Sequence, residues 1–437
     1  MLISVSTNFV ALSKEKNNFY GAVCPKPRSI ARSTQRACYD SCYNSDIGYV
    51  ELLRDVYSKN AEDIKFFRRH IHNNPEIGWS EFETSDFIVE QLNRRNIQTR
   101  RLEPTGVIAD IVPAGMEGQP VVALRADIDA LKILEDTGLD YASKNTGVSH
   151  ACGHDFHVAS VFGAAICVNE LKHKLKHPVR FIFQPAEETK PSGSPEVIKQ
   201  GGLDGVQKIY AIHTEPRLEV GKIGIREGAI TSAADSITVK LSGNGGHSSR
   251  PHLTQDVIQA LGAVVSNTSL IFSRIFDPRS VVSMTWGSIH AGNTANAIAS
   301  YGELHGILRT TDLQVWESAK SRAIEVIKSI VDPYGVVADI KYERGVPPVF
   351  NEEHAVHDMR DVILDLFGNE TLYEAERSLG GEDFSWYLMQ EGVTGAMARM
   401  GAATPGAKLS DIHQPDLVVD EKLLDYSVPF MGGLLLC

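Results

Sequence analysis

The sequence predicts an α/β fold in which a mostly parallel sheet is interrupted by an inserted ferredoxin-like α+β unit. The chain has 437 residues, which is more than one ordinary hydrophobic core requires. In the first half of the chain, short apolar runs alternate with helical patterns, as they do in parallel sheets. A different order of elements, β-α-β-β-α-β, follows in the middle of the chain.

The first half of the chain contains the elements expected of a parallel sheet. Apolar runs at residues 107–112, 121–124, 179–183 and 209–212 are predicted strands, and a helical pattern covers 155–175. In open sheets of this kind, ligands bind beyond the carboxyl ends of the strands. We therefore expect the functional residues to follow these runs directly.

Two helices are predicted before the strands. Helical spacing of apolar residues begins near Ile47 and ends at Pro75. Ser80 followed by Glu83 has the pattern of a capping box, which predicts that a second helix begins there.

The segment 233–345 is predicted to be a separate unit inserted into the first domain. Its elements are, in order, a strand at 236–242, a helix at 257–265, strands at 281–289 and 301–308, a helix at 315–330 and a strand at 337–342. This is the order of a ferredoxin-like unit. The first domain resumes after Pro347 and Pro348, so it is expected to comprise 47–232 and 346–437.

Composition and charge argue against several classes of function. The net charge is −12, which disfavours nucleic acid and anionic membranes as partners. No run approaches the roughly 18 apolar residues of a membrane-spanning helix. The six cysteines do not have the spacing of a disulfide framework, which favours a reduced, cytoplasmic protein. Residues 1–46 show little periodicity and are expected to be a leader without regular structure, with a targeting segment as the alternative.

Two motifs carry residues suited to metal chemistry. Cys152 and His154 flank Gly153, which lets the backbone turn tightly so that both side chains can reach one metal ion. Glu187 and Glu188 follow a predicted strand, and one carboxylate can hold a metal while the other takes up a proton. The structural alternatives are a buried Cys152 that acts as a small apolar residue and an acidic turn at the surface.

Further candidates are more isolated in the sequence. His213 ends a predicted strand, and His413 lies near the C-terminus. His247 lies in a glycine-rich loop of the inserted unit, where Asn296 and Arg309 could bind a carboxylate. Taken alone, each of these residues is more often structural than functional.

Taken together, the motifs resemble those of the co-catalytic metallopeptidases of the aminoacylase and carboxypeptidase type. The subgroup that the chain is most similar to contains hippurate hydrolase, auxin-conjugate hydrolase and N-acyl-amino-acid amidohydrolase. The resemblance runs from about Arg68 to Pro415. It rests on Arg68-Arg69-x-x-His72-x-x-Pro75-Glu76-x-Gly78, His150-x-Cys152-Gly153-His154-Asp155, Gln184-Pro185-Ala186-Glu187-Glu188, Gly245-Gly246-His247 and Gly381-Glu382-Asp383-Phe384.

The resemblance implies a metallohydrolase domain with an inserted lid and dimerisation domain, and therefore a homodimer. It implies two divalent ions, which could be zinc, manganese, cobalt or nickel. The implied metal ligands are Cys152, His154, Glu188, His213 and His413. Glu187 matches the general base, and His247 would stabilise the oxyanion in the site of a partner subunit. Asn296 and Arg309 match substrate-holding positions, and Asp127 would orient a ligand histidine.

The function implied is hydrolysis of the amide bond of an N-acyl or N-aroyl amino acid, a small substrate, with no nucleic-acid or membrane partner. A dipeptidase or carboxypeptidase would use the same residues with a different pocket. A catalytically silent paralogue that binds metal or carboxylate is a third possibility, but the presence of Glu187 beside Glu188 argues against it. A structural zinc site is disfavoured because its ligands usually cluster locally in the sequence.

Overall fold

The computed structural model describes residues 48–437, and the leader predicted at 1–46 lies outside them. The helices are α1 (Gly48–Asn73), α2 (Phe82–Asn93), α3 (His154–Glu170), α4 (Ser194–Lys199), α5 (Val257–Ile275), α6 (Leu313–Val331), α7 (Glu353–Phe367), α8 (Ser385–Leu388) and α9 (Leu423–Leu436). The strands are β1 (Gln98–Arg101), β2 (Val107–Ile111), β3 (Val121–Asp127), β4 (Val179–Gln184), β5 (Val206–Glu219), β6 (Ile223–Ile225), β7 (Gly228–Ala229), β8 (Ala233–Ser242), β9 (Gly246–His247), β10 (Val282–Ala291), β11 (Ala297–Ile298), β12 (Tyr301–Thr310), β13 (Val337–Glu343), β14 (Phe350–Asn351), β15 (Leu372–Glu374) and β16 (Thr394–Ala403).

An eight-stranded sheet forms the centre of the fold, with the strand order β1-β2-β4-β3-β5-β16-β6-β15. Its four middle strands, β4, β3, β5 and β16, are mutually parallel. Strands β1 and β2 continue the sheet in antiparallel pairing, and β6 runs antiparallel to β16. The predicted α/β class and the mostly parallel sheet are therefore confirmed, while the antiparallel strands near the edges were not foreseen.

Both faces of this sheet are covered, as the burial of parallel strands requires. Helices α1, α3, α7 and α9 contribute to the core on one face, and Val197 of α4 and Tyr387 of α8 belong to the core on the other. Helix α3 is buried along nearly its whole length because α1 and α9 pack against it. Phe162 of α3 stacks on Phe67 of α1 with ring centroids 3.8 Å apart. This packing fixes the N-terminal end of α3 relative to the strand ends.

A second, four-stranded antiparallel sheet has the order β10-β12-β8-β13. Helices α5 and α6 pack with it around a separate hydrophobic core that includes Val239, Leu261 and Leu304. Its elements follow the predicted β-α-β-β-α-β order along the chain. The described residues, 48–437, belong to one compact unit, and the domain boundaries at 233 and 345 stay a prediction.

The predicted capping box is wrong in its details. Helix α2 begins at Phe82, and the side chain of its N-cap residue, Glu81, makes no capping hydrogen bond. Instead, the backbone amides of Glu83 and Thr84 donate to the carboxylate of Glu76, at 3.2 and 2.8 Å. A carboxylate before the helix satisfies the free amides as well as a cap within the box would.

Among the residues described, no helix is both long and apolar enough to cross a bilayer.

Candidate metal centre

The candidate site lies where the middle strands of the large sheet end. Asp127 is the last residue of β3, Glu187 and Glu188 follow β4, and His213 lies within β5. Cys152 and His154 approach from the start of α3, and His413 comes from the loop after β16. This is the position that the strand-end rule predicts for parallel sheets.

The structure brings all five predicted metal ligands into one cluster. The ligand atoms of Cys152, His154 and His213 lie within 4.8 Å of one another, and the same is true of Cys152, Glu188 and His413. The Cys152 Sγ is 3.6 Å from His213 Nε2, and His413 Nε2 is 3.0 Å from Glu188 Oε1. Because Cys152 belongs to both groups, its sulfur could contribute a ligand atom to either of them.

Backbone carbonyls orient two of the imidazoles. His154 Nδ1 lies 2.9 Å from the carbonyl oxygen of Asp129, and His213 Nδ1 lies 2.7 Å from that of Thr214. Each Nδ1–H therefore donates outward, which leaves Nε2 of the neutral ring as the nitrogen able to bind a metal ion. The Nε2 of His154 is buried and has no hydrogen-bond partner among the residues described. The cluster therefore fits a pair of divalent ions, since imidazole, carboxylate and thiolate are suitable donors.

The electrostatics of the cluster favour positive charge. Burial lowers the pKa of His154, but the electrostatic attraction of its protonated ring to Asp127 and Cys152 is stronger than this effect. The pKa of His154 is therefore raised well above its ordinary value. Burial raises the pKa of the Cys152 thiol to about 12. A nearby cation would favour the thiolate over the thiol.

Asp127 makes its direct hydrogen bonds to residues other than the predicted ligands. Its Oδ1 accepts a hydrogen bond of 2.6 Å from His157 Nδ1, and its Oδ2 accepts one of 2.7 Å from Arg125. The distance from Asp127 Oδ2 to His154 Nε2 is 3.7 Å. His157 in turn accepts a hydrogen bond from the Thr214 amide at its Nε2. Asp127 thus supports the cluster through His157, while carbonyl groups orient the ligand histidines.

Glu187 is half-buried beside further carboxylates. Oxygens of Glu187, Glu382 and Asp383 lie within 4.8 Å of one another. Burial, followed by repulsion from Glu382 and Glu188, raises the pKa of Glu187 well above its ordinary value. A carboxyl group whose pKa is raised in this way is suited to accept and return a proton near neutral pH.

The network of Arg125 was not identified from the sequence. Arg125 is buried and pairs with Asp127 at 2.7 Å, Asp383 at 2.7 Å and Glu382 at 3.1 Å. In the sequence, two partners of Arg125 were present in the Gly381-Glu382-Asp383-Phe384 motif. That motif supported the resemblance to known metallopeptidases, but it was given no role.

Glu81 was also missed, and it fixes the turn before Glu187. Ala186 has a positive φ of 56°, which is unfavourable for a residue with a Cβ atom. Its amide donates to the buried Glu81 carboxylate at 2.7 Å, and Thr105 Oγ1 donates to the same carboxylate at 2.7 Å. Burial raises the pKa of Glu81 to about 7, although these two hydrogen bonds oppose the shift. No sequence motif signalled this contact.

Two cavities adjoin the cluster. One of about 680 Å³ is lined in part by His413, Thr214 and Arg399. The other, of about 390 Å³, is lined in part by Glu187, Glu188 and the predicted substrate residue Arg309. A substrate with two ends could therefore place one end in each cavity, with its reacting bond at the cluster.

His247 and Asn296 line neither of these two cavities. Both residues are exposed. His247 ends β9 and Asn296 directly precedes β11, the two strands of a small antiparallel ribbon. His247 Nδ1 accepts a hydrogen bond of 2.8 Å from the Ser249 hydroxyl group. Within the part of the chain described, the structure therefore brings Arg309 to the cluster but not His247 or Asn296.

The sequence is similar to those of known hydrolases. Residues 123–436 match the sequence model of the family described as Peptidase family M20/M25/M40. The chain is 38% identical over 355 residues to an N-acetyl-L-cysteine deacetylase of Bacillus subtilis (strain 168), which covers 81% of this chain and 83% of that protein. It is 35% identical over 302 residues to an N-acyl-L-amino acid amidohydrolase of Geobacillus stearothermophilus, which covers 69% of this chain and 81% of that protein.

A longer relative and a solved structure complete the comparison. A protein of Rhodococcus jostii (strain RHA1) that is named as a glutamate–cysteine ligase is 41% identical over 369 residues, covering 84% of this chain. The chain spans only 46% of the length of that relative. The crystal structure of a dinuclear metal-binding peptidase of the M20 family from Bacillus subtilis has a TM-score of 0.74 and 33% identity, covering 86% of this chain and 97% of that one.

Proposed function

This chain belongs to the M20/M25/M40 peptidase family, and we propose that it hydrolyses the amide bond of N-acylated amino acids, releasing a carboxylic acid and a free amino acid. The observation that carries the proposal is the cluster of two overlapping ligand groups with Glu187 beside them. The names of the relatives, an N-acetyl-L-cysteine deacetylase and an N-acyl-L-amino acid amidohydrolase, support the same substrate class.

The residues that would hold the metal ions are Cys152, His154, Glu188, His213 and His413. When bound, the ions would polarise the scissile carbonyl group and increase the acidity of a water molecule. Glu187 takes the proton of the attacking water on a carboxylate oxygen and later delivers it to the leaving amine nitrogen. Glu382 and Asp383 support this role because their negative charges raise the affinity of Glu187 for a proton. The donor set suits zinc, manganese, cobalt and nickel.

The remaining predicted residues have roles in substrate binding. Arg309 lines the cavity of Glu187 and holds the substrate from that side. We place His247 and Asn296 in the site of a partner subunit, in a homodimer formed through residues 233–345. His247 then stabilises the oxyanion of the tetrahedral intermediate. A reduced, cytoplasmic environment is proposed because a ligating Cys152 must not be oxidised.

The experiment is to measure amino-acid release from a panel of N-acyl amino acids and dipeptides, with metal-loaded and chelator-stripped protein. Metal-dependent release from the N-acyl amino acids is the expected result. Release from dipeptides alone would identify a dipeptidase on the same scaffold. No release from any compound, with metal bound, would contradict the proposal and favour a binding protein.

A further inference from the structure

The cavity of about 390 Å³ beside Glu187 has an uneven distribution of charge along its lining. Its three carboxylates, Glu187, Glu188 and Glu382, lie at the metal cluster, and Glu382 also pairs with the buried Arg125 at 3.1 Å. The other charged residues that line this cavity, within the described part of the chain, are all cationic: Lys190, Arg309 and Arg344. Negative charge is therefore concentrated at the reaction centre, where metal ions would balance it, and the rest of the cavity is positively charged.

The three cations reach the cavity from two sides. Lys190 lies in the loop after β4, close to the predicted ligand Glu188. Arg309 is in β12 and Arg344 directly follows β13, so both are carried by the four-stranded sheet. Strand β8 lies between β12 and β13 in that sheet, and adjacent strands are about 5 Å apart. The two arginines therefore start from backbone positions that are separated by one intervening strand.

An aromatic ring and a backbone carbonyl hold Arg344 in place. Its guanidinium carbon lies 4.6 Å from the centroid of the Trp316 ring, a distance at which the ring attracts the cation. One of its amino groups donates a hydrogen bond of 2.6 Å to the carbonyl oxygen of Glu317. Trp316 is itself fixed, because it is buried and its indole N–H donates to Asp235 at 3.1 Å. A guanidinium group has five N–H donors, so most of those of Arg344 remain available to a ligand.

None of the three cations has a carboxylate partner among the residues described. Arg309 donates one hydrogen bond, to the carbonyl oxygen of Leu379, and Lys190 is exposed to solvent. Like charges around one cavity repel each other, and a ligand of opposite charge removes this repulsion. A carboxylate is well suited, since it accepts charge-assisted hydrogen bonds from lysine and two parallel ones from arginine.

An N-acyl amino acid with a neutral side chain carries too few negative charges for this lining. Its α-carboxylate would satisfy Arg309, the predicted substrate residue, and would leave Lys190 and Arg344 without a partner. An acidic amino acid has a second carboxylate, separated from the first by two carbons in aspartate and by three in glutamate. Because Arg309 and Arg344 are carried by strands on either side of β8, long side chains from both can contact one such ligand.

We propose that Arg344 and Lys190 bind a carboxylate in the side chain of the substrate, so that the protein prefers N-acyl derivatives of glutamate and aspartate. This inference rests on the proposed function, in which Arg309 holds the substrate from the same side. Trp386 and Pro191 also line the cavity and offer apolar surface to the methylene groups between the two carboxylates.

The test compares hydrolysis of N-acetyl-L-glutamate with hydrolysis of N-acetyl-L-glutamine, which has nearly the same shape but a neutral side chain. For the wild-type protein the glutamate compound is expected to have the higher kcat/KM. Arg344→Met and Lys190→Met should each lower the ratio of the two kcat/KM values, mainly through KM. The double variant should lower it by about 10- to 100-fold, because it loses hydrogen bonds to a charged group. Arg344→Lys should keep part of the preference, since lysine retains the charge but not the bidentate geometry.

The ratio does not depend on the folded fraction, so partial unfolding of a variant does not obscure the result. Arg322→Met is the control for charge, because Arg322 is an exposed arginine of α6 that lines neither cavity; its ratio should equal that of the wild type. A wild-type ratio near one, or an unchanged ratio in the double variant, overturns the proposal. The same change in Arg322→Met also overturns it.

Arg309→Met distinguishes the two carboxylates of the substrate. Both compounds carry the α-carboxylate, so this variant is expected to lower kcat/KM for both by similar factors. A loss confined to the glutamate compound would show that Arg309 contacts the side chain, and would overturn the assignment of Arg344 and Lys190.

A binding measurement separates this proposal from the proposed function. Calorimetry with both compounds is performed on metal-loaded Glu187→Gln protein, with and without Arg344→Met and Lys190→Met. Tighter binding of the glutamate compound that depends on Arg344 and Lys190, combined with no turnover by the wild type, would leave the assignment intact and reject only the hydrolytic function. Equal affinity for the two compounds, or binding of neither, rejects the assignment. Turnover of other N-acyl amino acids without a preference for glutamate over glutamine rejects the assignment and leaves the hydrolytic function intact.

Discussion

Carboxylates around the centre outnumber the cationic groups that pair with them. Arg125 is shared by Asp127, Glu382 and Asp383. Burial raises the pKa of Asp383 to about 6 even though Arg125 lies beside it. An excess of buried negative charge is unfavourable unless cations balance it. At the residue scale, the site therefore has the charge balance of a centre that holds metal ions.

Replacing Glu187 by glutamine should separate catalysis from metal binding. A glutamine side chain cannot accept the proton of the attacking water, so we expect kcat to fall roughly 10³-fold while the metal content is unchanged. The measurements are the rate of amino-acid release and the metal stoichiometry of the purified protein. Glu196→Gln, a change of a carboxylate on the short helix α4, serves as the control. Near-normal turnover in Glu187→Gln would falsify the assignment of the base.

Metal affinity should rise with pH because the Cys152 thiol must lose its proton to bind a metal ion. Burial raises the pKa of this thiol to about 12, so affinity should increase by up to about tenfold per pH unit around neutrality. Cys152→Ala should lower metal occupancy and make this pH dependence shallower.

The control is Cys167→Ala, since Cys167 is also buried and burial also raises its pKa to about 12. It lies in the hydrophobic core. Titrations of metal-free protein with one divalent metal at several pH values give both quantities. Unchanged stoichiometry in Cys152→Ala would rule out its role as a ligand.

At the scale of elements, the start of α3 sets the spacing between the ligands. Gly153, between Cys152 and His154, has a φ of 82°. A Cβ atom at this position would lie 2.5 Å from Thr214 Oγ1. The left-handed turn and the close approach of β5 both require glycine here.

Gly153→Ala is expected to destabilise the metal-free protein and to weaken metal binding. Gly147→Ala is the matched control, because Gly147 has a φ of 83° and no atom lies within 4 Å of the position of its Cβ. Both variants should lose about 1–3 kcal/mol of unfolding free energy through backbone strain. The additional loss in Gly153→Ala, measured by urea denaturation, reports the contact with Thr214. Equal losses would show that this contact is unimportant.

At the scale of the whole molecule, a buried network joins α1 to α3 and to the loop after β3. His72 Nδ1 lies 2.9 Å from Asp155 Oδ2, and its Nε2 lies 3.2 Å from Glu135 Oε1. Arg68 pairs with the same Asp155 at 2.7 Å and with Glu421 at 3.1 Å. The network holds together segments that are distant in the sequence, so its charge state should affect global stability.

Stability should decrease in acid as Glu135 becomes protonated. Burial alone would raise the pKa of Glu135, but hydrogen bonds from His72, Thr137 and the Ser143 amide lower it from 4.5 to about 2. A depressed pKa stabilises the fold above pH 4.5, and this contribution, at most roughly 3 kcal/mol, is lost as the pH falls toward 2. Urea unfolding in chelator, compared between wild type and Glu135→Gln, should show a difference that shrinks below about pH 4.5. Exposed Glu117→Gln is the control; a difference that is independent of pH would contradict the prediction.

The assembly can be tested by mixing two inactive variants. If His247 acts in the site of a partner subunit, His247→Ala and Glu187→Gln homodimers are both inactive, but a heterodimer contains one intact site. Exchange of subunits should then restore about one quarter of the wild-type activity. His252→Ala, a change of an exposed histidine nearby, should be active alone. If mixing restores nothing although heterodimers form, His247 does not act across the interface.

The sequence predicted the elements from local patterns, and it predicted the donor set from motifs that resemble those of known metallopeptidases. Hydrophobic periodicity located β3, β4 and α3, and the motifs around Cys152 and Glu187 identified residues that the structure does bring together. It also predicted where they meet, since the carboxyl ends of parallel strands share one edge. The Ser80 and Glu83 pattern failed because a carboxylate outside it, Glu76, satisfies the helix amides.

Local patterns in the chain were therefore enough to predict the α/β class and the β-α-β-β-α-β order, while the residues able to hold metal were assigned through the resemblance of the motifs to those of known metallopeptidases. Two contacts became visible only in the folded molecule: Asp127 accepts a hydrogen bond from His157, and Glu81 accepts one from the Ala186 amide and so fixes the turn there. The physical reason is that these contacts join residues distant in the chain. Strand order and helix packing set the distances between them, and no local pattern encodes those distances.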